Sequence, residues 1–126
     1  MLPDFSVKGK VVVITGGGGA ICGMMSKMFG EAGAKVAVMD ISMDAAKKIT
    51  DEINNKGGES MPLVCNVLDK KSIEDAAAQV MGKWGRVDIL INGAGGNKPQ
   101  ATTNNEMSFF DLPADAIQWV FNLNCL

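Results

Sequence analysis

The residues best suited to chemistry begin with a run of glycines placed directly after an apolar stretch. Residues 11–14 read VVVI and are followed by Thr15 and four glycines. A glycine-rich turn between a strand and a helix lets backbone N–H groups approach a phosphate, and the helix dipole adds positive potential. The pattern predicts a pyrophosphate site at Gly16, Gly17, Gly18, Gly19, Ala20 and Ile21.

Two other interpretations of this turn are a tight strand-to-helix connection and a nucleotide-hydrolase phosphate loop. The first stays open, because no strict G-x-G-x-x-G is present. The second requires Gly-Lys-Ser/Thr at the end of the loop, whereas this turn continues as Ala20, Ile21, Cys22 and Gly23. Hydrolysis of ATP or GTP is therefore not expected.

An acidic residue, Asp40, follows the second predicted strand, where a carboxylate can accept hydrogen bonds from the adenosine ribose of NAD. The alternative role is the N-cap of the next helix, which Ser42 could fill equally well. A carboxylate about 4 Å from a 2′-phosphate is repelled by about 4 kcal/mol per charge pair at an effective dielectric of 20. We therefore expect NAD rather than NADP, with Asp40 and Ile41 at the ribose.

Two further strand ends are predicted at the same edge of the sheet. Asn66 and Val67 close the third strand, where they could contact the adenine, although a surface-facing asparagine is equally consistent with the pattern. The fourth strand runs into a turn of small residues at the end where open α/β sheets bind ligands. That turn consists of Asn92, Gly93, Ala94 and Gly95.

The composition limits the possible chemistry further. The chain of 126 residues has no histidine and no tyrosine, so a Ser-His-Asp or Cys-His hydrolase is excluded within it. Cys22, Cys65 and Cys125 form no C-x-x-C pair, which argues against zinc and a disulfide framework. We expect these three thiols to be reduced and buried.

Charge and hydropathy indicate an ordinary globular domain. The net charge of −2 gives no basic field for nucleic acid, and no apolar run is long enough to span a bilayer. Residues 1–10 lack the basic start and continuous apolar stretch of a secretion signal. The prediction is a cytoplasmic protein that binds small molecules, with neither a nucleic-acid nor a membrane partner.

Hydrophobic spacing predicts an α/β fold in which strands and helices alternate. The strands are too apolar to face water, which favours parallel pairing in a three-layer, doubly wound Rossmann-type sheet of order 3-2-1-4. Pro62 agrees with this order, because it places the third strand at an edge. The predicted strands are 11–15, 35–40, 61–67 and 87–92.

The predicted helices are amphipathic. The first carries an apolar stripe that we expect to face the core, with its methionines as filler, at Ile21, Met24, Met25, Met28, Phe29 and Ala32. Two more helices end near Gly57 and Gly85, and a last helix begins at Pro113. Before it lies a polar loop, 97–112, anchored by Phe109 and Phe110. The predicted fourth strand would leave an apolar edge unpaired, so we expect a longer fold.

These motifs together resemble the N-terminal half of a short-chain dehydrogenase/reductase over nearly the whole chain. The resemblance rests on Thr15-Gly16 with three residues before Ala20, on Asp40, on the N-G-A-G of residues 92–95, and on Asn124. Residues 92–105, 109–112 and 119–124 resemble the branch of D-mannonate oxidoreductases, or fructuronate reductases. The family pattern has glycine where Ala20 and Cys22 stand, aspartate at Asn66 and asparagine at Gly93.

The resemblance implies an NAD-dependent oxidoreductase that transfers hydride between nicotinamide and a sugar acid, D-mannonate or D-fructuronate. It also implies a catalytic quartet of Asn, Ser, Tyr and Lys, of which the chain contains only the asparagine, Asn124. We therefore expect residues 1–126 to be the N-terminal part of a longer single-domain enzyme, homo-oligomeric at full length. This portion alone is expected to bind NAD weakly and to catalyse nothing.

Two alternatives from other functional classes remain open. A non-catalytic dinucleotide sensor would keep the cofactor site and lack the tyrosine. A methyltransferase would use a related sheet for S-adenosylmethionine, but it would prefer an acidic residue just before the glycines, where this chain has Ile14 and Thr15. Downstream sequence separates the first alternative from an enzyme, and titration with both cofactors tests the second.

Overall fold

The computed structural model describes residues 4–125, which divide after Gly93 into two compact units. The first unit contains a parallel sheet and three helices, and the second contains a loop region and one helix. The strands of the sheet are β1 (Val11–Thr15), β2 (Lys35–Asp40), β3 (Glu59–Val64) and β4 (Ile89–Asn92).

The sheet confirms the predicted topology. All three strand pairings are parallel, and the order is β3-β2-β1-β4. Pro62 lies on the edge strand β3, opposite Val38. This position is compatible with proline, which has no N–H to donate to a further neighbour.

The helices of the first unit are α1 (Ala20–Glu31), α2 (Met43–Asn55) and α3 (Lys70–Trp84). Side-chain caps begin two of them: Ser42 accepts from the Ala45 N–H, and Asp69 accepts from the Lys71 N–H. Gly85 ends α3 at φ 71°, in the left-handed region that favours glycine. These boundaries agree with the helices that the hydrophobic spacing predicts.

The core is split between the two faces of the sheet, as alternation along strands requires. One buried cluster joins β1, β2 and β3 to Ala76 and Val80 of α3. The other joins β1 and β2 to Ala46, Ile49 and Ile53 of α2. The sheet is therefore covered on both faces, which confirms the three-layer arrangement.

The buried face of α1 differs from the predicted one. Ile21, Met24 and Met28 are 79%, 55% and 62% exposed, and Ala32, which follows the end of α1, is exposed as well. The expected apolar stripe was therefore wrong at these four positions. The fully buried residues of α1 are instead small: Gly23, Ser26 and Gly30. They let α2 approach closely, and the remaining apolar contacts to the core come from Cys22, Met25 and Phe29. Hydrophobicity alone does not mark a face made of small residues.

The sheet boundaries and the thiols also differ in part from expectation. Strand β3 begins two residues earlier and ends three residues earlier than predicted, and β4 begins at Ile89 rather than at Val87. Of the cysteines, only Cys65 is buried, while Cys22 is half-buried and Cys125 is exposed. The expectation of buried thiols therefore holds for Cys65 and was wrong for Cys125.

The second unit contains two short 3-10 turns, at Pro99–Ala101 and Phe109–Asp111, and helix α4 (Ala114–Cys125). Phe109 and Phe110 meet edge to face with centroids 5.6 Å apart. They are 70% and 93% exposed, so they do not anchor the loop as the sequence suggested. Within the described residues, no helix combines the length and hydropathy needed to cross a bilayer.

Candidate functional site

The glycine turn after β1 is held by its own hydrogen bonds. The Gly17 N–H donates to the Met39 carbonyl at 2.9 Å, and the Gly18 N–H donates to Asp40 Oδ2 at 3.0 Å. The Gly19 N–H donates back to the Gly16 carbonyl at 3.1 Å. Three of the N–H groups expected to face a phosphate are thus already bonded, two of them to β2 and one within the turn.

Further donors lie in the first turn of α1. The first helical hydrogen bond runs from the Gly23 N–H to the Gly19 carbonyl at 2.7 Å. The preceding N–H groups, of Ala20, Ile21 and Cys22, have no acceptor among residues 4–125, and the N-cap Gly19 offers no side chain. An anion at this helix end would receive three backbone donors and the positive end of the dipole.

The glycines of the turn meet two separate requirements. Gly16 has φ 65°, a conformation that other residues rarely adopt. Gly17 and Gly18 leave no room for a side chain, since an added Cβ would lie 2.8 Å from Val38 Cγ1 and 2.7 Å from Ala45 Cβ respectively. The glycines therefore shape the turn, and α1 supplies the donors.

Asp40 ends β2 beside this turn. Its Oδ2 accepts from the Gly18 N–H and its Oδ1 accepts from the Ser42 N–H, each at 3.0 Å. The N-cap of α2 is Ser42, so capping does not account for Asp40. Each carboxylate oxygen retains a further lone pair for a hydroxyl donor. The next residue, Ile41, is 72% exposed.

The end of β3 is tied to the end of β2. The Cys65 N–H donates to the Asp40 carbonyl at 2.9 Å, and burial raises the pKa of the Cys65 thiol, which keeps it neutral. Asn66 follows, and its Oδ1 accepts from the Leu68 N–H at 3.0 Å in a local turn. Val67 packs against the core cluster of β1, β2 and β3. The side-chain oxygen of Asn66 is therefore already engaged.

The end of β4 lies beside the end of β1, where Asn92 pairs with Thr15. The Gly93 N–H donates to Thr15 Oγ1 at 3.1 Å. Gly93 also lies so close to α1 that an added Cβ would overlap Cys22 Sγ. From the sequence, Thr15 and Cys22 belong to the motif at the end of β1. Their contacts with Gly93, at the end of β4, were not predicted.

The remaining candidates lie in the second unit. Asn124 on α4 accepts from the Gly96 N–H at 3.1 Å and donates to the Gly96 carbonyl at 2.8 Å. Its Nδ2 also donates to the Val120 carbonyl at 2.7 Å. Gly95 leaves space for this amide, because an added Cβ would lie 2.7 Å from Asn124 Oδ1. Ala94 opens the unit. Gly96 was not among the predicted residues.

A cleft of about 360 Å³ lies at the opposite, amino end of the strands. Its charged lining residues form ion pairs: Lys27 with Glu52 at 3.0 Å, Lys56 with Glu31 at 2.7 Å, and Lys35 with Glu59 at 3.7 Å. The Lys27 and Lys56 partners hold the pKa values of Glu52 and Glu31 below their usual range. This cleft is an ionic contact between elements rather than the predicted ligand site.

Asp88 also lies at the amino end. Its Oδ2 accepts from the Val11 N–H at 2.8 Å, and its Oδ1 pairs with the Arg86 guanidinium. The hydrogen bond from Arg86, then that from Val11, hold the pKa of Asp88 below its usual range. Among the described residues, no group of three potential ligands from His, Cys, Asp and Glu could hold a metal ion.

A family model described as short chain dehydrogenase matches residues 10–126 of this chain. Among curated proteins, an uncharacterized oxidoreductase of Haemophilus influenzae is 40% identical over 98% of this chain and 47% of its own length. A 7alpha-hydroxysteroid dehydrogenase of Escherichia coli is 35% identical over 96% of this chain and 44% of its own length.

A solved structure from Haemophilus influenzae has the same fold. It is a provisionally assigned D-mannonate oxidoreductase with bound NAD, 39% identical, and it superposes with a TM-score of 0.90. The match covers 95% of this chain and 46% of that one. The chain thus spans about half the length of the relatives it matches.

Proposed function

The chain belongs to the short-chain dehydrogenase family, and from this premise we propose that it binds NAD at the carboxyl ends of its strands. We further propose that it is the N-terminal, cofactor-binding part of a longer single-domain oxidoreductase. The relatives, which are about twice as long, support the second statement. When bound, NAD would supply the hydride acceptor of the reaction.

One observation carries the NAD proposal: three adjacent N–H groups at the start of α1 have no acceptor in the described chain, while the N–H groups of Gly17, Gly18 and Gly19 before them are bonded. A rigid turn that ends in unpaired donors fits a pyrophosphate, because the donors need no rearrangement to bind it. The pyrophosphate would rest on Ala20, Ile21 and Cys22.

The cofactor choice follows from Asp40. Its carboxylate, fixed by Gly18 and Ser42, would accept the ribose hydroxyls of NAD and repel a 2′-phosphate. Ile41 and Val67 offer apolar surface beside the adenosine, and Asn66 a polar side chain. Asn92 and Gly93 would lie near the nicotinamide. These roles are proposed for the carboxyl ends of β1, β2, β3 and β4.

The proposed substrate is a sugar acid, the class suggested by the D-mannonate oxidoreductase to which the chain is similar. In the second unit, Lys98 is half-buried and its Nζ lies 4.5 Å from the centroid of the Trp119 ring. No carboxylate among residues 4–125 pairs with it. We propose that this oriented ammonium binds the substrate carboxylate.

The catalytic role proposed for Asn124 depends on residues outside this chain. Its amide holds both backbone groups of Gly96, which supports a fixed position for Asn124 on α4. The family resemblance implies that a tyrosine transfers the proton to or from the substrate hydroxyl, and this sequence has no tyrosine. The cytoplasmic location and the homo-oligomeric state expected from the sequence remain predictions.

Isothermal titration of this chain with NAD, NADP and S-adenosylmethionine tests the cofactor proposal. We expect binding of NAD, weaker binding of NADP and none of S-adenosylmethionine. Tighter binding of S-adenosylmethionine would favour the methyltransferase, and absence of all three would contradict the proposed site.

The substrate proposal is tested with the product of the complete reading frame, assayed with NAD on sugar acids and on a 7α-hydroxysteroid. We expect oxidation of the sugar acid, and the Lys98→Met variant should raise its KM about tenfold, the cost of losing one charge-assisted contact. Lys83→Met is the matched control, since Lys83 lies 5.1 Å from the ring centroid of Trp84 on α3. Activity on the steroid alone would contradict the assignment, and NAD binding without turnover would favour the sensor.

A further inference from the structure

Two departures from the family pattern meet in space. The sequence has Cys22 where the pattern has glycine and Gly93 where it has asparagine, and the two residues are far apart in the chain. In the folded first unit they are in contact at the carboxyl ends of β1 and β4. Each difference changes one side chain at the proposed cofactor site. Because the two residues are in contact, the size of one limits the size of the other.

Space, rather than conformation, explains the glycine at position 93. Gly93 is not among the glycines with positive φ, so its backbone accepts an ordinary residue. An added Cβ, however, would overlap Cys22 Sγ and would lie 2.7 Å from the Thr15 carbonyl oxygen. The same Cβ would be 3.5 Å from Cys22 Cβ, which is an ordinary contact. The thiol sulfur therefore occupies the volume that a side chain at 93 would need.

The contact between Cys22 and Gly93 lies in the same turn of α1 as the proposed pyrophosphate donors. Cys22 is half-buried, packs against the core shared with α2, and lies in the first turn of α1. Its own N–H is one of the three that lack an acceptor. The Gly93 N–H is bonded to Thr15 Oγ1 at 3.1 Å, so the end of β4 cannot retreat from the sulfur without breaking that bond.

We propose that Cys22 and Gly93 are a complementary pair of positioning residues that sets the distance between the end of β4 and the first turn of α1. Through this distance the pair fixes the donors of Ala20, Ile21 and Cys22. The inference rests on the proposed NAD site, and it adds residues that act on the cofactor through packing rather than through a polar side chain.

The test compares Cys22→Ala, Gly93→Ala and the double variant. Cys22→Ala removes the sulfur that contacts Gly93 and should weaken NAD binding about threefold. Gly93→Ala should weaken NAD binding about tenfold, because the overlap displaces the α1 donors. The double variant should bind NAD more tightly than Gly93→Ala alone, because the overlap with Cys22 Sγ is removed while the 2.7 Å approach to the Thr15 carbonyl oxygen stays.

Gly82→Ala is the matched control, because Gly82 lies on the exposed face of α3 and an added Cβ there meets nothing within 4 Å. It should leave NAD binding unchanged. Urea unfolding of every variant separates a general loss of stability from a change at the site: Gly82→Ala should not lower the midpoint. A Gly93→Ala variant that matches Gly82→Ala in both readouts would overturn the proposal.

A second readout does not require NAD to bind. The ¹⁵N shifts of the Ala20 and Ile21 amides in the free chain should move in Gly93→Ala and move less in the double variant. If NAD fails to bind the original chain, the proposed function fails while these shifts still decide the pairing. Effects of the two single substitutions that simply add in the double variant would overturn it.

Discussion

Asp40 Oδ2 accepts a hydrogen bond from the Gly18 N–H at 3.0 Å, which joins the end of β2 to the middle of the glycine turn. The residue proposed to select the cofactor therefore also shapes the turn that precedes the proposed pyrophosphate donors. A side chain at position 18 would displace this bond, because its Cβ would lie 3.0 Å from the same oxygen. Cofactor choice and turn geometry are thus coupled in one carboxylate.

Neutralising Asp40 should relax the preference for NAD. In Asp40→Asn, a weaker hydrogen bond to the Gly18 N–H would lower the affinity for both cofactors. Loss of the negative charge would raise the affinity for NADP alone, because only NADP carries the 2′-phosphate. The ratio of the NADP and NAD dissociation constants should fall about fivefold, which corresponds to about 1 kcal/mol of hydrated charge repulsion. Titration of both cofactors measures this ratio.

Asp44→Asn controls for the change in net charge, because Asp44 is exposed in the first turn of α2. Its ratio should stay at the value of the original chain. Equal changes in the two variants would show that overall charge, and not the position of Asp40, determines the preference.

Gly18→Ala should destabilise the first unit. The new Cβ would lie 2.7 Å from Ala45 Cβ and 2.9 Å from the Ala45 carbonyl carbon, so the start of α2 must shift. Overpacking of this kind costs about 1–3 kcal/mol of the free energy of unfolding. Gly19→Ala meets only the Gly16 carbonyl oxygen at 3.2 Å and should cost less. Equal losses in urea unfolding of the two variants would contradict the packing argument.

Ser42→Ala should lower the free energy of unfolding by about 1 kcal/mol through loss of an N-cap. Ser42 Oγ accepts from the Ala45 N–H at 3.3 Å. Ser42→Asn keeps an acceptor and should stay close to the original stability. Because Asp40 was the alternative cap, a Ser42→Ala variant with unchanged unfolding would reopen that assignment.

Asp88→Asn should change how the free energy of unfolding depends on pH in the acidic range. The pKa of Asp88 is lowered in the folded chain, so its ionised form stabilises the fold above the unfolded pKa of about 4, and this contribution disappears as the pH falls through the folded pKa. The variant should therefore be less stable at pH 7, and the difference should shrink below about pH 4. Urea unfolding across pH 2–7 measures it.

Asp75→Asn serves as the comparison for Asp88, because Asp75 forms an exposed pair with Lys71 on α3. Such surface pairs contribute little. A pH-independent difference between Asp88→Asn and the original chain would contradict the proposed contribution of the ionised carboxylate.

The sheet order could be predicted from the sequence because continuous apolar strands, a proline at the edge and alternating helices all favour the same topology. The face of α1 could not, since its buried stripe consists of Gly23, Ser26 and Gly30. Packing is set there by how closely Ile49 and Ile53 of α2 approach, and a hydrophobic pattern does not encode that distance.

The candidate site, like the fold, could be predicted only in part from the sequence. Glycine spacing predicted a turn suited to a phosphate, but which N–H groups stay unpaired depends on Met39 and Asp40, which the fold brings from β2. The contact of Cys22 with Gly93 likewise needs β1 and β4 side by side. Local motifs identify candidate residues, and tertiary hydrogen bonds decide which atoms are available.

The most direct measurement is an ¹H–¹⁵N spectrum of this chain titrated with NAD. Binding should shift the amide signals of Ala20, Ile21 and Cys22 most, because their N–H groups would donate to the pyrophosphate. The Gly17 and Gly18 amides, which are bonded to Met39 and Asp40 of β2, should move less. NAD binding that leaves the three α1 amides unchanged, or that acts at another part of the chain, would contradict the proposed site.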